Sequence, residues 1–234
     1  MTEYPRSLRG TPVTGSDYPA ALPKTRNSGV SLSVYRAWGK RFLDVSLVLL
    51  AAPAWLVIVS LCAVLIIVFD RQNPFFSQSR FGRNGRVFRM WKLRTMVADG
   101  DAVLADYLAN NPEANAEWIT TQKLRTDPRI TKIGRFLRKT SLDELPQLFN
   151  VLMGDMSLVG PRPFMAVQQE LYPGERYYLM RPGLTGLWQI RARNNGSFAS
   201  RVHYDDHYYR IQTLKTDMYI MFETIGVVMR ATGH

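Results

Sequence analysis

Apolar residues are concentrated in one segment near the start of the chain, residues 45–69, which carries no charged side chain. A straight helix over these residues would extend about 37 Å, whereas the hydrocarbon core of a bilayer is about 30 Å thick. The pattern therefore predicts a membrane helix. Pro53 lies in the first third of the segment. It removes one helical hydrogen bond and clashes with the preceding turn, which predicts a break or a sharp kink.

Basic residues flank this segment on both sides. Arg36, Lys40 and Arg41 precede it, and five arginines follow it between residues 71 and 89. Because positive charge beside a membrane helix favours the cytoplasmic side, both ends are expected on that side. We therefore predict a re-entrant helix-break-helix hairpin over residues 35–70 that enters and leaves the bilayer through one face.

Beyond the membrane segment the pattern changes to short elements. Residues 78–88, with Asn84-Gly85 near their centre, predict a β-hairpin. Helical periodicity recurs in four later segments, at 99–117 with a break at Pro112, 130–139, 167–171 and 208–229. The basic helix at 130–139 fits either a solvated surface or an anionic membrane surface. The last helix is charged enough to be packed or interfacial and not a second span.

Together these elements indicate an α+β, mostly helical fold and a monotopic membrane protein with amphipathic interfacial helices and a small β-hairpin. Residues 1–34 are rich in Pro, Ser, Thr and Gly and predict a disordered arm. Residues 35–70 form the predicted membrane hairpin, and residues 71–234 form a cytoplasmic domain. The only cysteine, Cys62, excludes an internal disulfide.

Charge adds the first chemical information. The formal net charge of +11 favours anionic partners such as nucleic acid, phosphorylated small molecules or an anionic bilayer. Within this basic chain, Asp143 and Glu144 are adjacent acids. Ser141 stands three residues before Glu144, as in a helix capping box, whereas Pro146 favours a helix that begins closer to the proline. The residues leave both alternatives open.

In either case the two acids lie near a helix N-terminus, where backbone N–H groups are free. Such a terminus can hold a phosphate together with nearby cations, here Arg138, Lys139 and Arg162. The pair is therefore either a local helix signal or part of a phosphate-handling site. Two histidines four apart, His203 and His207, have no further ligand set around them, so we do not assign them a metal.

A series of motifs in a fixed order now becomes informative. They are KRFLD at 40–44, the hairpin followed by KLRTM at 92–96, DPRIT at 127–131, SLDELPQL at 141–148, GDMSLVGPRP at 154–163 and RPGLTG at 181–186. In this order the chain resembles the bacterial sugar transferases of the monotopic phosphoglycosyl transferase family, in their short form of the catalytic core alone. The resemblance runs from about Lys40 to the C-terminus.

The resemblance implies a reaction and a location. A hexose-1-phosphate would pass from a UDP-sugar to polyprenyl (undecaprenyl) phosphate with release of UMP, as the first membrane step of exopolysaccharide synthesis. Asp143 matches the family's nucleophile, which forms a covalent aspartyl phosphosugar, and Glu144 matches the residue linked to Mg²⁺. The protein would lie on the cytoplasmic face of the bacterial inner membrane, with residues 71–234 as the catalytic domain. Similarity to short transferases of exopolysaccharide synthesis favours galactose or glucose.

General chemistry agrees with these roles. A carboxylate can form an acyl phosphate and divide one transfer into two steps. Mg²⁺ prefers one or two carboxylates together with substrate phosphates. Arg138 and Arg162 suit the nonbridging phosphate oxygens, and Lys92 is a further phosphate-binding candidate. Asp217 matches an acidic position of the family, but an exposed acid on a helix would give the same pattern.

One position departs from the family, whose members commonly carry Ser-Pro at the break of the membrane helix. This chain has Ala52-Pro53, which leaves Ser46 and Ser60 as candidates for a compensating hydroxyl. The competing interpretation is a membrane-tethered basic protein that binds nucleic acid or anionic lipid without catalysis. It explains the charge but gives no role to the acid pair, so we expect UDP-hexose, polyprenyl phosphate and membrane lipids as partners and no nucleic acid.

Overall fold

The computed structural model describes residues 34–121, 124–169, 171–191, 198 and 200–229. The predicted arm therefore lies almost wholly outside the described residues. The longest element is a helix of 36 residues over Tyr35–Asp70. Its regular part, α1, spans Lys40–Leu65, and one turn of wider π geometry extends it at each end. Among the described residues it is the one helix long and apolar enough to cross a membrane.

Pro53 lies inside α1, and the helix continues on both sides of it. The predicted break at Pro53 is therefore wrong, whereas a kink, the other predicted outcome, is compatible with a continuous helix. The reason is tertiary packing, because α1 contacts the rest of the protein before and after the proline and these contacts override the local penalty. The indole Nε1 of Trp55 donates a hydrogen bond to the Val48 carbonyl oxygen at 3.1 Å. This bond links the turns of the helix on the two sides of Pro53.

One stripe of α1 is buried along most of its length. Its buried side chains recur at helical spacing, at Val48, Trp55, Val59, Cys62 and Ile66. They share a core with side chains of the following domain, namely Phe88, Met90, Leu93, Leu137, Leu148, Val151 and Met156. The opposite face of α1 exposes large apolar side chains, including Leu50, Val57, Leu61, Val64 and Val68. The helix is therefore both a wall of the core and an apolar outer surface.

Both ends of the long helix are fixed to the same domain. Near its start, Asp44 accepts a hydrogen bond from the Ser157 hydroxyl at 2.7 Å and one from the Leu158 amide at 3.1 Å. At its end, Asp70 accepts a hydrogen bond from the Thr131 hydroxyl at 2.7 Å. Hydrogen bonds near both ends, together with the buried stripe between them, thus hold the helix against one domain.

The predicted hairpin is confirmed. Strand β1 (Phe75–Phe81) pairs antiparallel with β2 (Val87–Leu93), and the turn between them has positive φ at Asn84 and Gly85. Asn and Gly tolerate this left-handed conformation better than other residues, so the turn forms at the position that the sequence predicts.

Seven shorter helices and a second, two-stranded sheet follow in the residues that the structure describes. The helices are α2 (Gly100–Asn110), α3 (Pro112–Thr121), α4 (Lys132–Thr140), α5 (Gln147–Met153), α6 (Leu187–Arg191), α7 (Arg201–Ile211) and α8 (Leu214–Met229). The strands β3 (Ser157–Val159) and β4 (Gly183–Thr185) pair in parallel. The break at Pro112 and the helix at 130–139 are confirmed. The single helix predicted over 208–229 is in fact the end of α7 followed by α8.

One further local prediction needs correction. The helix predicted around 167–171 is reduced to a single 3₁₀ turn, Ala166–Gln168.

The glycines of the motifs have a packing role. A Cβ atom on Gly134 would lie 2.0 Å from the Thr95 carbonyl oxygen, and one on Gly183 would lie 2.1 Å from the Gly160 nitrogen. Only glycine permits these approaches, which place α4 against the end of the hairpin and β4 against β3.

Helix α5 links the hairpin to the long helix. The Asn150 side chain donates to the Arg89 carbonyl at 2.8 Å and accepts from the Trp91 amide at 3.0 Å, so α5 lies against the free edge of β2. At the other end of α5, Arg41 donates to the Leu152 carbonyl at 2.7 Å. A cation suits this position because the last carbonyls of a helix lack partners. The segment just before α5 is thereby held in place.

Candidate active site

The acid pair lies in the connection between α4 and α5. Ser141 has a left-handed conformation at the end of α4, with φ of 57°, and makes no capping hydrogen bond through its side chain. A 3₁₀ turn, Leu142–Glu144, follows, and α5 begins after Pro146. The helix start near the proline is therefore confirmed, and the capping box at Ser141 is excluded because that residue terminates the preceding helix.

Lys92 of β2 faces both acids. Its Nζ lies 3.0 Å from Glu144 Oε1 and 3.9 Å from Asp143 Oδ2. Asp143 is 8% exposed, and the Glu144 side chain is 20% exposed. A lysine at this distance stabilises the charged form of each carboxyl group. Asp143 is thus largely shielded from water, whereas Glu144 keeps contact with solvent.

Two arginines complete the cluster. Arg162 Nη2 lies 3.6 Å from Glu144 Oε1. The Arg138 Nε donates to the Thr95 hydroxyl at 2.9 Å, which fixes the guanidinium close enough to Asp143 for their charges to interact. The structure thus brings Lys92, Arg138 and Arg162 together around the two acids, whereas Lys139, the fourth candidate cation, is exposed on α4.

Burial controls the ionisation of the site. It raises the pKa of Asp143 above its usual range, and the Glu144 charge acts in the same direction, while Lys92 and Arg138 oppose the shift. Burial also lowers the pKa of Arg138, against the attraction of Asp143. A desolvated carboxylate surrounded by cations is suited to attack an electron-poor phosphorus whose anionic oxygens those cations hold.

Sequence comparison now identifies the family. The family model described as bacterial sugar transferase matches residues 35–231. The chain belongs to the bacterial sugar transferase family. Its predicted resemblance is therefore confirmed, and the match includes the long helix, the hairpin and every residue of the acidic and basic cluster.

Curated relatives of this sugar transferase agree. It is 41% identical to a UDP-galactose-lipid carrier transferase of Erwinia amylovora over 97% of this chain and 49% of the relative. It is 46% identical to the exopolysaccharide production protein ExoY of Sinorhizobium fredii over 83% of this chain and 87% of the relative. It is 51% identical to an undecaprenyl-phosphate galactose phosphotransferase of Salmonella typhimurium over 70% of this chain and 35% of the relative. The chain thus spans about half the length of the Erwinia protein.

Two arginines near the cluster are not among the predicted site residues. Burial lowers the pKa of Arg80 to about 10, and the nearby charges of Arg162 and Arg201 act in the same direction. Arg201 donates to the backbone carbonyl of Arg162, and its guanidinium lies between the rings of Trp188 and Phe198. Arg80 belongs to the hairpin motif, which could have indicated it. The Arg162 carbonyl that ties Arg201 to the cluster is 39 positions away, so no local pattern indicates this contact.

Asp217 lies in a different cluster. Its carboxylate accepts hydrogen bonds at 2.6 Å from the Tyr35 hydroxyl, the Lys40 ammonium and the Tyr208 hydroxyl. The side chain is 1% exposed. None of these partners contributes to the acid pair's surroundings, so we interpret Asp217 as an anchor between the start of the long helix and α7–α8.

The donor set for a metal ion is small. No group of three or more His, Cys, Asp and Glu side chains that could hold an ion is found in the part of the chain that the structure describes. Mg²⁺ does not require such a cage, because it commonly takes one or two carboxylates and completes its shell with substrate phosphates and water. Glu144, partly exposed beside Asp143, fits this mode of binding.

Proposed function

We propose that this sugar transferase moves a hexose-1-phosphate, of galactose or glucose, from a UDP-sugar to polyprenyl phosphate and releases UMP. The observation that carries the proposal is the buried Asp143 among Lys92, Arg138 and Arg162. The relatives support it, since they are named for UDP-galactose, undecaprenyl phosphate and exopolysaccharide production. The step would begin exopolysaccharide assembly at the cytoplasmic face of the bacterial inner membrane.

In the first half-reaction Asp143 attacks the phosphorus that bears the sugar. A carboxylate oxygen forms a new P–O bond, and the bond from this phosphorus to the bridging oxygen breaks, so UMP leaves with that oxygen. Arg138 and Arg162 would hold the nonbridging oxygens, and Lys92 would offset the charge that moves to the leaving group. The product is an aspartyl phosphosugar.

In the second half-reaction an oxygen of polyprenyl phosphate attacks the same phosphorus. The acyl phosphate bond breaks, Asp143 recovers its carboxylate, and the product is a polyprenyl diphosphate sugar. Two steps at one nucleophile allow a soluble donor and a membrane-bound acceptor to use the same cations in turn.

We assign the Mg²⁺ position to Glu144. A bound Mg²⁺ would neutralise part of the diphosphate charge during departure of UMP. The 3.0 Å contact with Lys92 and the 3.6 Å contact with Arg162 orient this carboxylate beside Asp143. In this proposal Glu144 holds the metal ion, and Asp143 is the nucleophile.

The long helix would enter and leave the membrane through one face, bent at Pro53 without loss of helical structure. This proposal is supported by the attachment of both ends of the helix to one domain, through Asp44 and Asp70. A helix of 36 residues would extend about 54 Å if straight, far more than the bilayer core requires. Proline inside a helix is a common cause of bending.

Cysteine labelling in intact cells tests this topology. We expect Trp38→Cys and Arg71→Cys, each in a Cys62→Ala background, to be protected from a membrane-impermeant thiol reagent until the cells are opened. Both positions are exposed on the protein surface, so protection reports the side of the membrane and not burial. Labelling of one position only, in unopened cells, would place the two ends on opposite sides.

A release assay tests the reaction. Purified enzyme in lipid should release UMP from UDP-galactose or UDP-glucose over many turnovers only when polyprenyl phosphate and Mg²⁺ are present, whereas without the acceptor the release should stop at about one UMP per enzyme molecule. A panel of UDP-sugars identifies the donor, because the preferred sugar should give the highest rate at limiting concentration. Absence of UMP release with every donor and with the acceptor present would refute the proposed function.

The pH dependence tests the role of Lys92. Since the Lys92 charge lowers the pKa of Asp143, Lys92→Met should raise that pKa further. Asp143 would then become protonated at a higher pH. The pH below which the aspartyl intermediate no longer forms should therefore be higher in the variant than in the wild type. Lys132→Met, an exposed lysine of α4, is the matched control and should leave the profile unchanged. An unshifted acid limb in Lys92→Met would contradict the assignment.

The basic charge has a competing interpretation as a surface for nucleic acid or anionic lipid. The family membership and the relatives' names favour the transferase, and the cluster places three cations around two acids and not on an open surface. We therefore do not propose nucleic acid as a partner.

A further inference from the structure

An apolar groove lies beside the connection that carries the acid pair. Its volume is about 320 Å³, and it is lined by Phe75, Trp91, Pro146, Phe149 and Met153. Pro146, Phe149 and Met153 follow one face of α5 at helical spacing, and Phe75 and Trp91 come from the hairpin. The volume is at the lower end for small-molecule sites, which are typically about 300–1,000 Å³. It suits a short length of hydrocarbon.

The hairpin separates this groove from the charged cluster. Side chains alternate between the two faces of a strand, and the pairing register places Phe75 and Trp91 on one face. Lys92 and Arg80 project from the other face, where Lys92 contacts Glu144. A polar compartment and an apolar compartment therefore meet where α5 begins, four residues after Asp143.

The groove is also continuous with the membrane helix. Phe149 packs edge-on against Trp55 of α1, with ring centroids 4.8 Å apart. Phe149 and Met153 are nevertheless 40% and 60% exposed, although both are large apolar side chains. This exposed apolar surface meets the long helix at one end and the proposed phosphate site at the other. A molecule with a phosphate head and an apolar chain would fit such a surface.

We propose that this groove binds the isoprenoid chain of the acceptor, next to its phosphate. The inference rests on the proposed function, which supplies a lipid phosphate as the second substrate. The phosphate would lie among Lys92, Arg138 and Arg162, while the first chain units leave past Pro146 along Phe149 and Met153 towards α1. The groove thus selects the acceptor by its chain and has no part in binding the UDP-sugar.

The two half-reactions separate this inference from the function itself. The experiment compares the wild type with Phe149→Ala and Met153→Gln. Each protein is first labelled, in the absence of acceptor, by a UDP-sugar that carries ³²P in the sugar-bearing phosphate. Discharge of the label is then timed with polyprenyl phosphates of short and long chain and with a phosphate ester that lacks an isoprenoid chain. We expect labelling within about twofold of the wild type. Discharge by limiting long-chain acceptor should slow about tenfold or more, as loss of contact with one large apolar side chain predicts.

The matched control is Phe222→Ala, which removes another exposed phenylalanine, on α8. It should leave the discharge rates and their dependence on chain length unchanged. The inference is overturned if both groove variants discharge at the wild-type rate, if they lose the same factor with the chainless phosphate, or if the control is equally impaired. Failure of the wild type to acquire label would instead refute the proposed function.

Discussion

Asp143→Asn is expected to eliminate the covalent intermediate and to reduce turnover by about 10³-fold or more. The amide keeps the shape of the side chain but has no nucleophilic oxygen anion. The measurement is transfer of ³²P from a UDP-sugar labelled in the sugar-bearing phosphate, followed by identification of the modified peptide. In the wild type the label should lie on the peptide that contains Asp143.

The fold should survive this substitution. Because burial raises the pKa of Asp143, the native state binds its proton more tightly than the unfolded state does. The contribution of this group to stability is then complete below the ordinary carboxyl pKa and is lost as the pH rises through the raised native pKa. At neutral pH the neutral amide should therefore be at least as stable as the ionised acid. Equal labelling of wild type and a folded variant would disprove the nucleophile assignment.

Asp217→Asn should lower the free energy of unfolding by about 3–5 kcal/mol. The substitution removes the carboxylate that the buried Lys40 ammonium contacts at 2.6 Å and disturbs the hydrogen bonds from Tyr35 and Tyr208. Urea unfolding in detergent micelles, followed by tryptophan fluorescence, measures the loss.

The control for this anchor is Asp101→Asn, an exposed acid in the first turn of α2. It should change the free energy of unfolding by no more than about 0.5 kcal/mol. If the two substitutions had equal effects, Asp217 would not be the anchor that its contacts indicate. A large loss of activity in Asp217→Asn without any loss of stability would return Asp217 to the list of site residues.

Local signals in the sequence were sufficient for several elements. Asn84-Gly85 determined the hairpin turn because few residues accept positive φ at two successive positions. The uncharged segment 45–69 determined the long helix, because nothing in it can be exposed to water at low cost. The motifs that contain Asp143 and Glu144, and those that contain Lys92, Arg138 and Arg162, predicted the cluster that we propose as the active site.

Other features depend on contacts between distant residues, which a local pattern does not contain. The helix continues through Pro53 because residues on both sides of it share one core. Lys40 and Asp217 are separated by 177 positions, so neither residue indicates its partner. Arg201 reaches the site only through the Arg162 backbone. Proximity of Ser141 to Glu144 suggested a cap, but the left-handed turn at Ser141 ends one helix before the next begins.

The buried stripe of α1 has a consequence for how the protein matures. Val48, Trp55 and Ile66 complete a core whose other half comes from the hairpin, α4 and α5. Without α1, side chains such as Met90 and Val151 would face water, so the domain is not a soluble enzyme on a detachable tether. Because α1 precedes its partners along the chain, later segments assemble against a helix that is already synthesised. Formation of the long helix and completion of the core are in this sense coupled steps of folding.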